Sequence, residues 1–243
     1  MATTKTQQKS ARLDRPGGSK PSTRSGRGRP SPRSRQAQAV AADEAQVQEL
    51  ILQALETELG GVQVYRTAVA CAVNEDLKEE WQEYLEQTER HVEIVQGLCE
   101  ELGIDAEEET PGRLVVRHIG ESLVLAMQRA QASGPAVAAQ LVAAECVVLA
   151  ETKDHQNWSL LSEVAKAGGQ FAEAIEEACD EVEDEEDEHL YHTMGWSREL
   201  WIESLGLPAV LPPPEEEKDV KSMAGAAKAK AGRKAMVKSK KSM

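Results

Sequence analysis

From residue 41 to 205 apolar residues recur at steps of three and four, in long runs cut by Asn74, Gly103, Ser133-Gly134-Pro135 and Gly168-Gly169. That period is the turn of an α-helix, and no stretch shows the alternation of a half-buried strand. The first run, about Ala41 to Val73, sets Val47, Ile51, Ala54, Glu58, Val62, Tyr65 and Val69 on one stripe. The second, about Glu75 to Leu102, places Trp81, Tyr84, Leu85, Thr88, His91, Val95 and Leu98 on its inner face, with Gly103 as its stop. After a loop over 104–113, a shorter connecting helix is predicted over about 114–132. A third long helix follows from about Ala136 to Ala167, carrying Leu141, Val148, Thr152 and Trp158. A fourth runs from about Phe171 to Leu205, where LGLPAVLPPP forbids continuation because proline lacks the amide donor and clashes with the preceding turn.

Four long helices plus one short crossover helix predict an all-α fold, an antiparallel four-helix bundle. Only one Phe, three Tyr and four Trp occur in 243 residues, which leaves the core to Leu, Val, Ile and Ala. Charge then divides the chain. Residues 1–36 hold ten Lys/Arg against the single acid Asp14, and residues 218–243 hold nine against Asp219, so the net charge of -14 conceals a middle near -31. The predicted organisation is a disordered basic N-terminal tail (1–40), a bundle (41–207), and a Pro-rich hinge with a disordered Lys/Ala-rich tail (208–243). Both tails carry too little apolar surface to offset the entropy of ordering.

Cationic arms of this kind hold nucleic acid electrostatically, associate with the chain's own acidic core, or serve solubility. The Arg- and Ser-rich start has a faint transit-peptide character, without the amphipathic stripe. No apolar run approaches the roughly 18 residues of a membrane span, and no secretory signal precedes the bundle. A cytoplasmic protein, monomer or homodimer, with no membrane partner is the expectation. Cys71, Cys99, Cys146 and Cys179 stand singly, without CxxC spacing, and are predicted to be buried thiols.

The chemistry is carried by acids and histidines that fall on apolar stripes, where an unpaired charge costs several kcal/mol on the order of. Glu58 has Ile51, Ala54, Val62 and Tyr65 as its helical neighbours, and His91 is in register with Trp81, Thr88, Val95 and Leu98. Glu145 sits between Leu141 and Val148, while Glu151 and His155 share a face with Val147, Val148 and Trp158. In DEVEDEEDEHLYH (180–192), which holds eight acids and two histidines, Val182 leads to Glu186 and then to His189, an ExxH pair. Residues three apart lie one turn apart on one face, so a carboxylate and an imidazole there can grip one cation while facing helices supply more. Oxygen-rich ligation with some imidazole suits iron or manganese better than zinc.

Each residue also has a plainer explanation: a hydrogen-bonded core histidine, a solvated carboxylate, an exposed acidic face for EDEEDE, a rim position for His192. Glu183, Asp184 and Asp187 are expected to meet water. A short repeat, LEQTERHVEI (85–94) against LAETKDHQNW (149–158), shares L-x-x-T-x-x-H and matches what a two-fold bundle needs.

The stretches ETELGGVQVYRTAV, YLEQTERHVEIVQGLCEELG, AAECVVLAETKDHQNW and EVEDEEDEHL together resemble the ferritin-like superfamily, most nearly its small bacterial di-iron carboxylate members, over about residues 45–205. The resemblance implies a four-helix bundle with a di-iron or di-manganese centre, built from one Glu on each of two helices and an ExxH on each of the others. Carried over, Glu58 is the first-helix carboxylate, His91 the second-helix imidazole, Glu145 or Glu151 the third-helix carboxylate, and Glu186 with His189 the fourth-helix pair. Thr88 stands where that pattern has a ligating Glu. The implied function is iron or manganese handling or oxidative-stress protection, with ferroxidase or peroxide-consuming activity. The competing readings are a nucleic-acid-associated stress protein that uses its basic tails and a metal-free interaction bundle.

Overall fold

The computed structural model describes residues 42–214 and the pair 231–232; the predicted N-terminal tail lies outside them, as does the predicted C-terminal segment apart from 208–214 and 231–232. Among the described residues there are five helices and no strand: α1 (Glu44–Cys71), α2 (Glu75–Leu102), α3 (Pro111–Ser133), α4 (Ala136–Ala167) and α5 (Ala172–Ser204). Their ends follow local chemistry. The Asp43 carboxylate accepts from the amides of Ala45 and Gln46 to open α1, and Asn74 caps α2 through Leu77, satisfying donors that a first turn leaves unpaired. Gly103 closes α2 in the left-handed region at φ 69°, and the Ile104 amide returns to the Cys99 carbonyl. The α1–α2 turn is only three residues, and Gln140 of α4 satisfies it by accepting from the Val73 and Asn74 amides, each at 2.7 Å.

The connecting helix α3 is longer than its expected span of 114–132. Thr110 accepts from the Arg113 amide and Pro111 occupies the first turn, where its missing N–H costs nothing, so the helix begins inside the predicted loop. Twenty-three residues long, α3 is not a short link. It packs on α1 and α4, and its backbone comes close to that of α1 where Gly60 faces Gly120: a Cβ built on Gly120 would lie 3.6 Å from the Gly60 Cα.

The remaining contacts run α1 to α2, α2 to α5, α5 to α4 and α4 to α1. Two apolar clusters fill the interior. One contains Ile51, Leu55, Val95, Leu98, Trp158, Leu161, Ile175 and Val182. The other contains Val64, Tyr65, Leu77, Trp81, Tyr84, Val147, Trp196 and Leu200. On α1 and α5 the chain passes from the first cluster to the second, and on α2 and α4 from the second to the first. Every one of these four helices therefore crosses the gap between the clusters once.

A buried ionic contact ties α3 to α1. Glu56 is 6% exposed and accepts from Arg113 Nε at 2.7 Å and from Arg117 Nε at 2.7 Å and Nη2 at 3.0 Å. Burial alone would raise its pKa, but the two guanidiniums outweigh burial and hold it below the usual value. Arg113 also donates to the carbonyls of Ala106 and Glu108, which fastens the α2–α3 loop. Glu56→Ala leaves the buried Arg113 guanidinium without its carboxylate and is expected to cost about 3–5 kcal/mol, measured by urea unfolding.

Candidate metal centre

In the gap between the apolar clusters the four helices place six polar side chains that are at most 5% exposed: Glu58 from α1, His91 from α2, Glu151 and Asp154 from α4, and Glu186 and His189 from α5. His91 Nδ1 lies 3.0 Å from Glu186 Oε1 and 3.8 Å from Glu58 Oε2. His189 Nδ1 lies 3.7 Å from Glu186 Oε1 and 3.8 Å from Glu151 Oε2. Two donors bound to one ion at about 2.1 Å each sit roughly 3 Å apart at a right angle, so these separations are of the size a shared cation requires. Two sets meet that condition, Glu58–His91–Glu186 and Glu151–Glu186–His189, with the donor atoms of each within 4.8 Å of one another. Glu186 belongs to both. The two imidazole rings stack with centroids 5.7 Å apart.

Outer partners orient these donors. His91 Nε2 meets Glu185 Oε2 at 2.9 Å, and Glu185 is held in turn by Arg90. His189 Nε2 meets Gln87 Oε1 at 2.7 Å. Both acceptors draw the ring proton to Nε2, which turns the Nδ1 lone pair of each histidine toward the cluster. Burial lowers the pKa of His91, with Glu185 only partly offsetting it, and burial together with the positive charge of its neighbours sends His189 well below the ordinary value. Burial thus favours the neutral form of each ring, which is the form able to ligate. Trp158 Nε1 donates to Glu58 Oε1 at 2.9 Å and leaves Oε2 facing inward.

The inward atoms have no such satisfaction. Among the described residues, Glu58 Oε2, Glu151 Oε2, Glu186 Oε2, Asp154 Oδ1 and the Nδ1 atoms of His91 and His189 are buried without a hydrogen-bond partner. Buried polar atoms are rarely left so; protons shared between Asp154 and Glu58 or Glu186, and between Tyr65 and Glu151, would satisfy some of them, and a cation would complete the group. Burial, then the charge of the neighbouring carboxylates, pushes Glu58 and Glu186 well above the ordinary carboxylate value. Burial likewise lifts Glu151 to about 8, with Asp154 adding to it, and Asp154 to about 7.

The residues expected from the sequence divide. Glu58, His91, Glu151, Glu186 and His189 are brought together. Glu145 is not: it is exposed and accepts from Trp201 Nε1 at 2.9 Å. Six residues before Glu151 on a helix with 3.6 residues per turn, it points roughly 120° away from the cluster. His155 is half-buried beside the cluster rather than in it, with Nδ1 3.4 Å from Asp187 Oδ1 and its ring edge-on to Tyr191. Thr88 is buried and returns its hydroxyl to the Tyr84 carbonyl. His192 is engaged elsewhere, 3.1 Å from Glu80. Glu183 and Asp184 are exposed and Asp187 is half-buried.

Asp154 was missed, although the spacing held a signal: it follows Glu151 by three residues, as His189 follows Glu186. The inward face of α4 is Ala143, Val147, Glu151, Asp154, Trp158 and Leu161, not the Leu141–Val148–Thr152 stripe. Since α4 packs against α1, α3 and α5, apolar residues occupy most of its circumference and blur its phase. No family model, curated protein or solved structure matches the chain.

The raised carboxylates set the pH response of the metal-free fold. Glu151 and Asp154 ionise near 4.5 and 3.8 when unfolded but near 8 and 7 when folded, so between these limits the folded state holds protons the unfolded state has released. Their contribution to stability is complete below pH 4 and is lost as pH rises through 7–8. Thermal melts of metal-free protein are expected to fall by several degrees from pH 5.5 to 8.5, and Asp154→Asn is expected to flatten that fall.

Proposed function

We propose that this chain is a ferritin-like protein, an antiparallel four-helix bundle of α1, α2, α4 and α5 that holds iron or manganese at a two-part carboxylate–histidine centre. The single observation that carries the reading is the set of buried donor atoms from four helices, turned toward one another and lacking hydrogen-bond partners. Structural ion pairs bury charge against charge, as Glu56 does with its arginines; this cluster buries four carboxylates against two imidazoles that burial makes less basic. The bundle topology is supported by the closed ring of helix contacts and by the opposite order in which neighbouring helices visit the two apolar clusters. On this reading α3 carries the chain back along the bundle between its two hairpins.

Glu58, His91 and Glu186 would hold one ion, and Glu151, Glu186 and His189 the other, with Glu186 shared. Asp154 is a further buried carboxylate beside the two sets, in neither of them, and Thr88 offers none on α2. Carboxylate and imidazole donors without thiolate favour iron or manganese; all four cysteines are free and buried, and burial raises the pKa of each thiol. Iron held this way supplies one-electron chemistry toward dioxygen or peroxide. The chain's own contribution is to fix the donors, keep both histidines neutral, exclude bulk water and accept protons on its carboxylates. Among the described residues no helix is long and apolar enough to cross a membrane.

Elemental analysis of purified protein is expected to find two ions per chain at most, one for each donor set. Glu186→Ala should remove nearly all bound metal, whereas Glu58→Ala and His189→Ala should each remove roughly half. A wild-type protein without bound iron or manganese after anaerobic loading and desalting would sink the reading. Because carboxylate protons must leave when a cation enters, affinity should rise steeply from pH 6 to 8, seen as proton release in a weakly buffered titration.

A nucleic-acid role through the basic tails is a separate proposal, supported by the +9 and +8 segments at the two ends of the sequence. DNA retention that disappears when both tails are deleted, and that weakens steeply between 50 and 200 mM salt, is the outcome it requires.

A further inference from the structure

A cavity of about 240 Å³ opens between α4 and α5, and its lining includes His155, Ser159, Ser162, Glu183 and Asp187, with Glu186 among them. Glu186 is 2% exposed, and its Oε2 has no hydrogen-bond partner. The cavity thus joins half-buried and exposed surface residues to the one carboxylate shared by both donor sets. Two other cavities, on the α1–α3 side, touch no residue of the cluster.

We infer that this cavity is the port through which hydrated divalent cations reach the centre, with His155 and Asp187 as a transit site at its mouth and Glu186 as its floor. The inference rests on the metal-binding reading above and adds the route. The chemistry of the lining fits a cation that sheds water stepwise. Glu183 and Asp187 supply anionic oxygen, His155 supplies imidazole, and Ser159 and Ser162 supply hydroxyls that replace water at little cost. His155 Nδ1 and Asp187 Oδ1 are 3.4 Å apart, and the Tyr191 ring packs edge-on against the imidazole. Lys166, the cation on this wall, is engaged 2.9 Å from Glu163. The surrounding acids of α5 raise the local concentration of cations at the entrance. A volume of this size also admits several waters, which a hydrated ion requires.

The port is tested by loading full-length metal-free protein with Co(II) under anaerobic conditions, following the bound ion by stopped-flow absorbance and counting it after desalting. Ser159→Trp and Ser162→Trp plug the cavity, and the double variant His155→Ala/Asp187→Asn removes the transit donors with little effect on the core. Loading is expected to slow about tenfold or more in the plugged variants and several-fold in the double variant, with final stoichiometry equal to wild type. Wild-type loading rates in a folded plugged variant overturn the port. So does a lower stoichiometry in the double variant, which would place His155 and Asp187 within the centre itself. If the tryptophan variants fail to fold, the double variant decides alone, and an unchanged rate there overturns the transit site. Wild-type protein that takes up no Co(II) is a different failure: it removes the metal reading and the port with it.

Discussion

Four carboxylates share the interior of this protein with two imidazoles that burial makes less basic. Glu58, Glu151, Asp154 and Glu186 are all at most 5% exposed, and ionised together in such a medium they would repel one another strongly. The fold tolerates them in one of two ways: by keeping protons on them, as the raised pKa values describe, or by giving them a cation. The placement of the apolar clusters on either side, the outward-held ring protons of the histidines and the cavity at Glu186 all take their meaning from that imbalance.

Glu56 gives the contrast within the same molecule. It is only 6% exposed, yet Arg113 and Arg117 grip it with three hydrogen bonds, and its oxygens are satisfied. It joins α3 to α1 and has no chemistry left to offer. The difference between an acid held in ion pairs and one left open to a cation is therefore a matter of unfilled lone pairs. Glu185 lies between the two cases: Arg90 and His91 outweigh the effect of burial and keep it ionised, and it orients His91 without entering the centre.

The helices, their order and most of their ends were legible in the sequence, because a 3.6-residue period and a capping residue are local properties. So were Glu58, His91, Glu151, Glu186 and His189, each an acid or imidazole set among apolar neighbours at helical spacing. On α4 the sequence offered Glu145 or Glu151, and only Glu151 meets the other donors. Three neighbours surround that helix, its apolar residues run round most of it, and many are alanines, so the stripe gave no unique phase; Glu145 was drawn in and Asp154 left out. The start of α3 was misplaced for another reason, since Thr110 and Pro111 read equally well as loop and as the first turn of a helix.

The amino-acid sequence by itself determined that the chain is helical, where its rods begin and end within a few residues, and that acids and histidines lie on faces meant for burial. Tertiary structure decided which of those side chains meet. A helix period specifies a side chain's direction relative to its own axis, but the distance between Glu58 and His91, or the sharing of Glu186 by two donor sets, depends on the rotation and rise of separate helices. Those are set by how apolar surfaces from distant parts of the chain interlock. The same packing turned His155 toward a surface cavity and Asp154 toward the interior, a distinction that adjacent positions on one helix do not announce.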